Sequence, residues 1–194
     1  MSTSLILLGS AAQASDGKRG YQDKSDHYSS DRERRKFYLA GSVGLGLSGY
    51  DRDGNALGDA DNAAPSVATI FKLGGHLTDQ VALYWHREAH WWDDSETDEY
   101  MAHGLNGVGL TRYENNSAPG WYGALALGVG SVRYVSGSGL DTAYGPGLSL
   151  GGGYEFNRHL AVGLTTLYSS TRTSGSDRVE YDTGSAALQL QFRL

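Results

Sequence analysis

From residue 37 onward the chain alternates between large apolar and small or polar residues. In segment 37–50 the odd positions are Phe37, Leu39, Gly41, Val43, Leu45 and Leu47, and the even ones Tyr38, Ala40, Ser42, Gly44, Gly46 and Ser48. Successive residues of a strand point to opposite faces, so one face is greasy and the other small and weakly polar. A soluble barrel packs its larger apolar side chains inside. Here the small face reads as the inside, and the Leu/Val stripe must meet something other than water.

Seven further segments carry the pattern. Segment 65–76 sets Val67, Thr69, Phe71 and Leu73 against Ala68, Lys72, Gly74 and His76, with Ile70 breaking the rule. Segment 81–92 sets Val81, Leu83, Trp85, Ala89 and Trp91 against Ala82, Tyr84, His86, Glu88, His90 and Trp92. In 100–113, Met101, His103 and Leu105 share a parity with Gly107 and Gly109 while Val108 and Leu110 take the other, which suggests either a bulge or different strand boundaries. Segments 121–135, 144–156 and 160–171 alternate cleanly. The last, 179–194, ends with Leu188, Leu190, Phe192 and Leu194 opposite Gln189, Gln191 and Arg193, an arrangement that opposes a lipocalin-like soluble core. Lys72, Glu155, Gln189, Gln191, Arg193 and Arg112 are expected to supply interior polar groups of both signs, packed against one another.

Connections alternate between short and long. Leu77-Thr78-Asp79-Gln80, Asn157-Arg158-His159 and the stretch 114–120 are compact, whereas 51–64, 93–99, 137–141 and 174–178 separate the other pairs. Transmembrane barrels join their strands by short periplasmic turns and longer outer loops. Phe37, Tyr50, Trp85, Trp91, Tyr113, Trp121, Tyr144, Tyr154 and Phe156 are expected to form interfacial girdles. The expected fold class is therefore all-β, an eight-stranded antiparallel up-and-down transmembrane β-barrel over residues 37–194.

Composition narrows the picture. No apolar run approaches the ~20 residues of a spanning helix. The 28 glycines and 13 tyrosines suit a turn-rich β protein, and the net charge of −6 argues against a nucleic-acid partner. With no cysteine, disulfides and thiolate metal sites are excluded. Ser4-Leu5-Ile6-Leu7-Leu8-Gly9 followed by Ala12-Gln13-Ala14 reads as the back half of a secretory signal peptide over 1–14, without its basic start. Residues 15–36 read as a disordered charged leader. Its basic cluster at 32–36 suits either anionic head groups or plain solvation.

The run Gly151-Gly152-Gly153-Tyr154-Glu155-Phe156-Asn157-Arg158-His159-Leu160-Ala161-Val162 and its echo from Gly74 to Leu83 carry a resemblance. The chain resembles the small eight-stranded outer-membrane barrels of Gram-negative bacteria, the OmpA-transmembrane-domain and OmpX type. Leu190-x-Phe192-x-Leu194 is similar to the C-terminal signal read by the outer-membrane assembly machinery, with Leu where a final Phe is usual. The resemblance implies fold and an outer-membrane location. The partners it implies are outer-membrane lipids, lipopolysaccharide and, during biogenesis, that machinery.

Candidate chemistry is sparse. His86, Glu88 and His90 share one inward face, where they suit either a divalent ion or base site, or a hydrogen-bonded polar plug. At about 7 Å per two residues, one ion does not easily reach all three, which favours the plug. Asp51, Asp53, Asn55 and Asp59 mimic alternating calcium ligands, but Ala56 and Asn62 stand where the motif needs glycine and glutamate. No cofactor is expected. Known barrels of this size that modify lipid A use a His-x-Ser triplet, absent from the strand segments, or a His with an Asp-Ser pair such as Asp94-Ser95. The expected role is structural or surface-interacting and non-enzymatic, with a lipid A-modifying enzyme or a narrow pore as alternatives.

Overall fold

A computed structural model describes residues 37–52, 63–94, 99–116, 118–135, 142–174 and 178–194. Eight strands form one closed antiparallel barrel: β1 (Phe37–Arg52), β2 (Ala64–Thr78), β3 (Val81–Asp94), β4 (Glu99–Tyr113), β5 (Gly120–Tyr134), β6 (Ala143–Asn157), β7 (Leu160–Arg172) and β8 (Glu180–Arg193). Each pairs with its sequence neighbours, and β8 pairs back onto β1. The strands lie where the alternation places them, because only one register keeps the apolar stripe on one side.

Pairing fixes the size of the ring. From Ala40 the register runs through Lys72, His86, Gly107, Gly128, Gly147, Ser169 and Thr183 and returns to β1 at Tyr50, ten residues (50 − 40) further on. Eight strands with that stagger tilt by about 40° and leave a barrel of about 8 Å radius, which side chains fill. Each residue then rises about 2.5 Å along the axis, so even the shortest strand, of 13 residues, outreaches an apolar band about 25 Å tall.

Burial is inverted relative to a soluble protein. Val43, Leu45, Leu47, Val108, Leu127, Leu150, Leu164 and Leu188 are all at least half exposed on the outer wall, while Lys72, Glu88, Glu155, Gln189, Gln191 and Arg193 are buried inside. Trp121, Tyr154 and Phe156 pack edge to face outside the short-turn end, and Tyr144 stands exposed towards the loop end.

Four expectations change. Strand β4 has no bulge: its register with β3 and β5 is unbroken. The shifts instead lie at His76/Thr78 and Glu155/Asn157, beside tight turns. Continuous parity puts Arg112 outside with Val108 and Leu110, so it is not an interior group. The same parity turns Tyr113 inward, and Tyr50 packs on Tyr181, so neither joins a girdle. Ile70 is no exception, since it is buried between Ala68 and Lys72 on the inner face. The signal peptide, the leader and the 32–36 cluster lie outside the described residues.

Replacing Leu127, 58% exposed, by Arg is expected to cost roughly 2–4 kcal/mol of folding free energy in lipid vesicles, read from urea titrations. Tyr144→Arg, near the loop end, should cost only ~0–1 kcal/mol. Equal, small effects at both positions would show that residue 127 does not face hydrocarbon.

Candidate functional site

Inside the barrel, polar side chains form a column that runs from the short-turn end up to an apolar cluster at the loop end. At the short-turn end Arg193 forms an ion pair with Glu155. Its guanidinium lies 5.1 Å from the Tyr113 ring and 5.4 Å from the Tyr122 ring, and Tyr38 closes the same layer at 6.0 Å. One layer up, Lys72 Nζ donates to Gln191 Oε1 at 3.0 Å and sits over the Tyr84 ring. Gln189 accepts from Ser42 at 2.9 Å and donates to Thr165 at 2.8 Å.

Glu88 is the hub. Its carboxylate accepts from His86 Nε2 at 3.1 Å, His90 Nε2 at 2.9 Å and Ser149 Oγ at 2.6 Å, with Thr165 Oγ1 at 3.4 Å. The alternation of β3 puts His86, Glu88 and His90 on one line, and the carboxylate spans the gap between the two rings. Each imidazole spends its Nε2 on Glu88, and among the described residues no His, Asp or Glu cluster converges on a metal position. Above them His103 contacts Ser169 Oγ through Nε2 at 2.8 Å and Ser185 Oγ through Nδ1 at 3.0 Å, and Ser48 donates to Ser185. Trp92, Met101, Val132, Ala143 and Tyr181 form an apolar cap over the column at the loop end.

The other expected residues do not join this column. Asp51 faces outward at the loop end, opposite Asp182 of β8. Asp53, Asn55, Asp59 and Ser95 lie outside the described residues. His103, Ser149, Ser169 and Ser185 enter the column although no local motif marks them; their inward parity is the only signal, and their partners come from distant strands.

A second feature lies on the outer wall. A groove of about 550 Å³ runs along β3, β4 and β5 to the start of β6, where Ala89, Gly104 and Ser131 leave the wall low. A Cβ on Gly104 would meet Glu88 O at 3.2 Å and Ser131 Oγ at 3.4 Å. Arg87, Asn106, Arg133, Thr142 and Tyr144 line it. Trp85 Nε1 donates to Asn106 Oδ1 at 2.5 Å, which turns the amide nitrogen of Asn106 towards other partners. Arg87 stands midway along β3, between Phe71 and Asn106 in register. A lipid-facing arginine at that depth costs roughly 2–4 kcal/mol.

Closed ring, apolar outer wall and filled polar interior together define a transmembrane β-barrel of the small outer-membrane type. Two solved structures share the fold: the outer membrane protein OprG from Pseudomonas aeruginosa and Neisserial surface protein A. OprG is 14% identical over 84% of this chain and 98% of its own, with a TM-score of 0.51. Neisserial surface protein A is 11% identical over 80% of this chain and 97% of its own, with a TM-score of 0.52. No family model and no curated protein matches the sequence. Identities this low speak for the fold alone.

Glu88→Gln places an amide donor against two imidazole donors. It is expected to cost about 2–3 kcal/mol of stability in the vesicle urea assay. A loss below ~0.5 kcal/mol, less than a typical single hydrogen bond, would show that Glu88 is not the hub.

Proposed function

We propose that this protein is a non-conducting, non-enzymatic barrel of the bacterial outer membrane with a structural and surface-interaction role. The observation that carries this reading is the interior. Arg193–Glu155 and its tyrosines fill the short-turn end, the Glu88 network fills the middle, and the Trp92–Met101–Tyr181 cap fills the loop end. Such a ring offers partners its outer wall and its loops, not a channel. An enzyme would need His86 or His90 at a surface a lipid can reach, and both rings are buried and committed to Glu88.

Its partners on this reading are outer-membrane lipid and lipopolysaccharide along the apolar wall. During biogenesis the partner is the assembly machinery, which would read the outward stripe of Leu190, Phe192 and Leu194 on β8 and at the chain end; these are 39%, 53% and 73% exposed. The long connections face the outside, since short turns mark the periplasmic end.

Reconstituted into planar bilayers, the folded barrel should show no steady conductance steps. Stable ohmic steps that survive repurification would replace the structural reading with the pore.

A further inference from the structure

The outer-wall groove holds Arg87 where the rest of the belt holds hydrocarbon, with Arg133 above it at the loop end. Converting register to height at about 2.5 Å per residue and about 3 Å per strand puts Arg87 within about 2 Å of the level of Leu127, Leu150 and Leu188. Those leucines are 58%, 50% and 61% exposed, as residues facing lipid should be. Arg87 is also exposed, and among the described residues no acid pairs with it or with Arg133 further up the same groove. The small residues Ala89 and Gly104 leave a path along which the Arg87 side chain can run upward towards Arg133, as long cationic side chains do in membranes. Beside apolar Ala89, Trp91 and Val129, the polar groups facing the groove include donors: two guanidiniums, hydroxyls, and the amide nitrogen of Asn106, which has no partner among the described residues. Glu88 contributes to its floor, but its carboxylate is turned inside to His86, His90 and Ser149.

We propose that this groove binds the phosphate of a lipid A-type phosphoglycolipid drawn sideways from the outer leaflet, held between Arg87 and Arg133. The inference rests on the membrane reading above, with the long loops outside, because the groove opens onto the loop-side half of the wall. Arginine grips phosphate through paired N–H donors, and in a low-dielectric setting that pairing removes the penalty of an unpartnered cation. A second copy of the chain is the weaker occupant. The outward acids Asp51, Asp93, Glu180 and Asp182 all stand at the loop end and cannot reach a partner's mid-wall arginine. Free phosphate is disfavoured because the groove faces the belt.

The test is native mass spectrometry of the detergent-folded barrel with bisphosphorylated lipid A, its dephosphorylated form, phosphatidylglycerol or inorganic phosphate. Lipid A should bind one to one. The Arg87→Gln/Arg133→Gln variant should lose at least tenfold in affinity, and Ala89→Leu, which fills the groove, should do the same. Arg112→Gln, an outward arginine at the opposite end, should bind as wild type. Equal binding by the double variant, by dephosphorylated lipid A, by phosphatidylglycerol or by inorganic phosphate would overturn the site. Heat-modifiable migration reports folding of each variant. Failure of the wild-type chain to fold in detergent would instead contradict the membrane reading.

Discussion

Hydrogen bonding between β1 and β8 closes the ring, and the rest of the structure depends on it. The two strands share a register from Ala40↔Arg193 to Arg52↔Tyr181, so the first and last strands have no free edge. Inside hydrocarbon an unpaired peptide group costs several kcal/mol, and a closed sheet leaves none along its strands. Closure also sets the stagger, and through it the radius. With only about 8 Å of radius there is room for side chains but not for a lumen. That constraint explains why a glycine-rich inner face is compatible with a filled interior. Gly107, Gly128 and Gly147 sit in adjoining register on β4, β5 and β6, where Leu105 of β4 packs over Gly147, and the Tyr84 ring of β3 fills the space over Gly109.

The interior meets most of a second demand that closure creates, with Nδ1 of His86 and His90, Nε2 of Gln191 and Nε and Nη2 of Arg193 left without a hydrogen-bond partner among the described residues. Polar groups shut inside a ring away from water must satisfy one another, and a partly satisfied set is worse than an apolar core. Glu88 gathers four donors, Arg193 has both a carboxylate and tyrosine faces, and Gln189 bridges β1 and β7. The links from Glu88 to Ser149 and Thr165, from Arg193 to Glu155 and from Gln189 to Ser42 join strands that are not consecutive in sequence, so the column ties the staves together across the barrel. The outer wall has the opposite requirement, since lipid rewards nothing but apolar surface. A cationic groove midway down that wall is therefore the feature that structure alone does not require.

Much of this was legible in the sequence, for a physical reason. A period of two is local, so the parity of each strand shows which face is which without any knowledge of the partners. That logic placed His86, Glu88 and His90 on one inward line and put Gln189, Gln191 and Arg193 inside. It misled where parity was not followed through, at the bulge expected in β4 and at Arg112, Tyr113, Tyr50 and Ile70. Register across strands is not local. His103 meets Ser169 and Ser185 over separations of 66 and 82 residues, and nothing near His103 announces either. The outer groove is hidden for the same reason. Arg87, Gly104 and Ser131 become neighbours only after three strands are aligned, and singly each looks like an ordinary surface residue.

The claim that the apolar stripe faces lipid is tested most directly by a nitroxide scan along β5 of the barrel in vesicles. Labels at 125, 127 and 129 should collide freely with dissolved oxygen and scarcely with a water-soluble nickel chelate. Labels at 124, 126 and 128, where they are tolerated, should be shielded from both. Strong nickel-chelate collisions at 125, 127 and 129 would place that face in water and contradict the account.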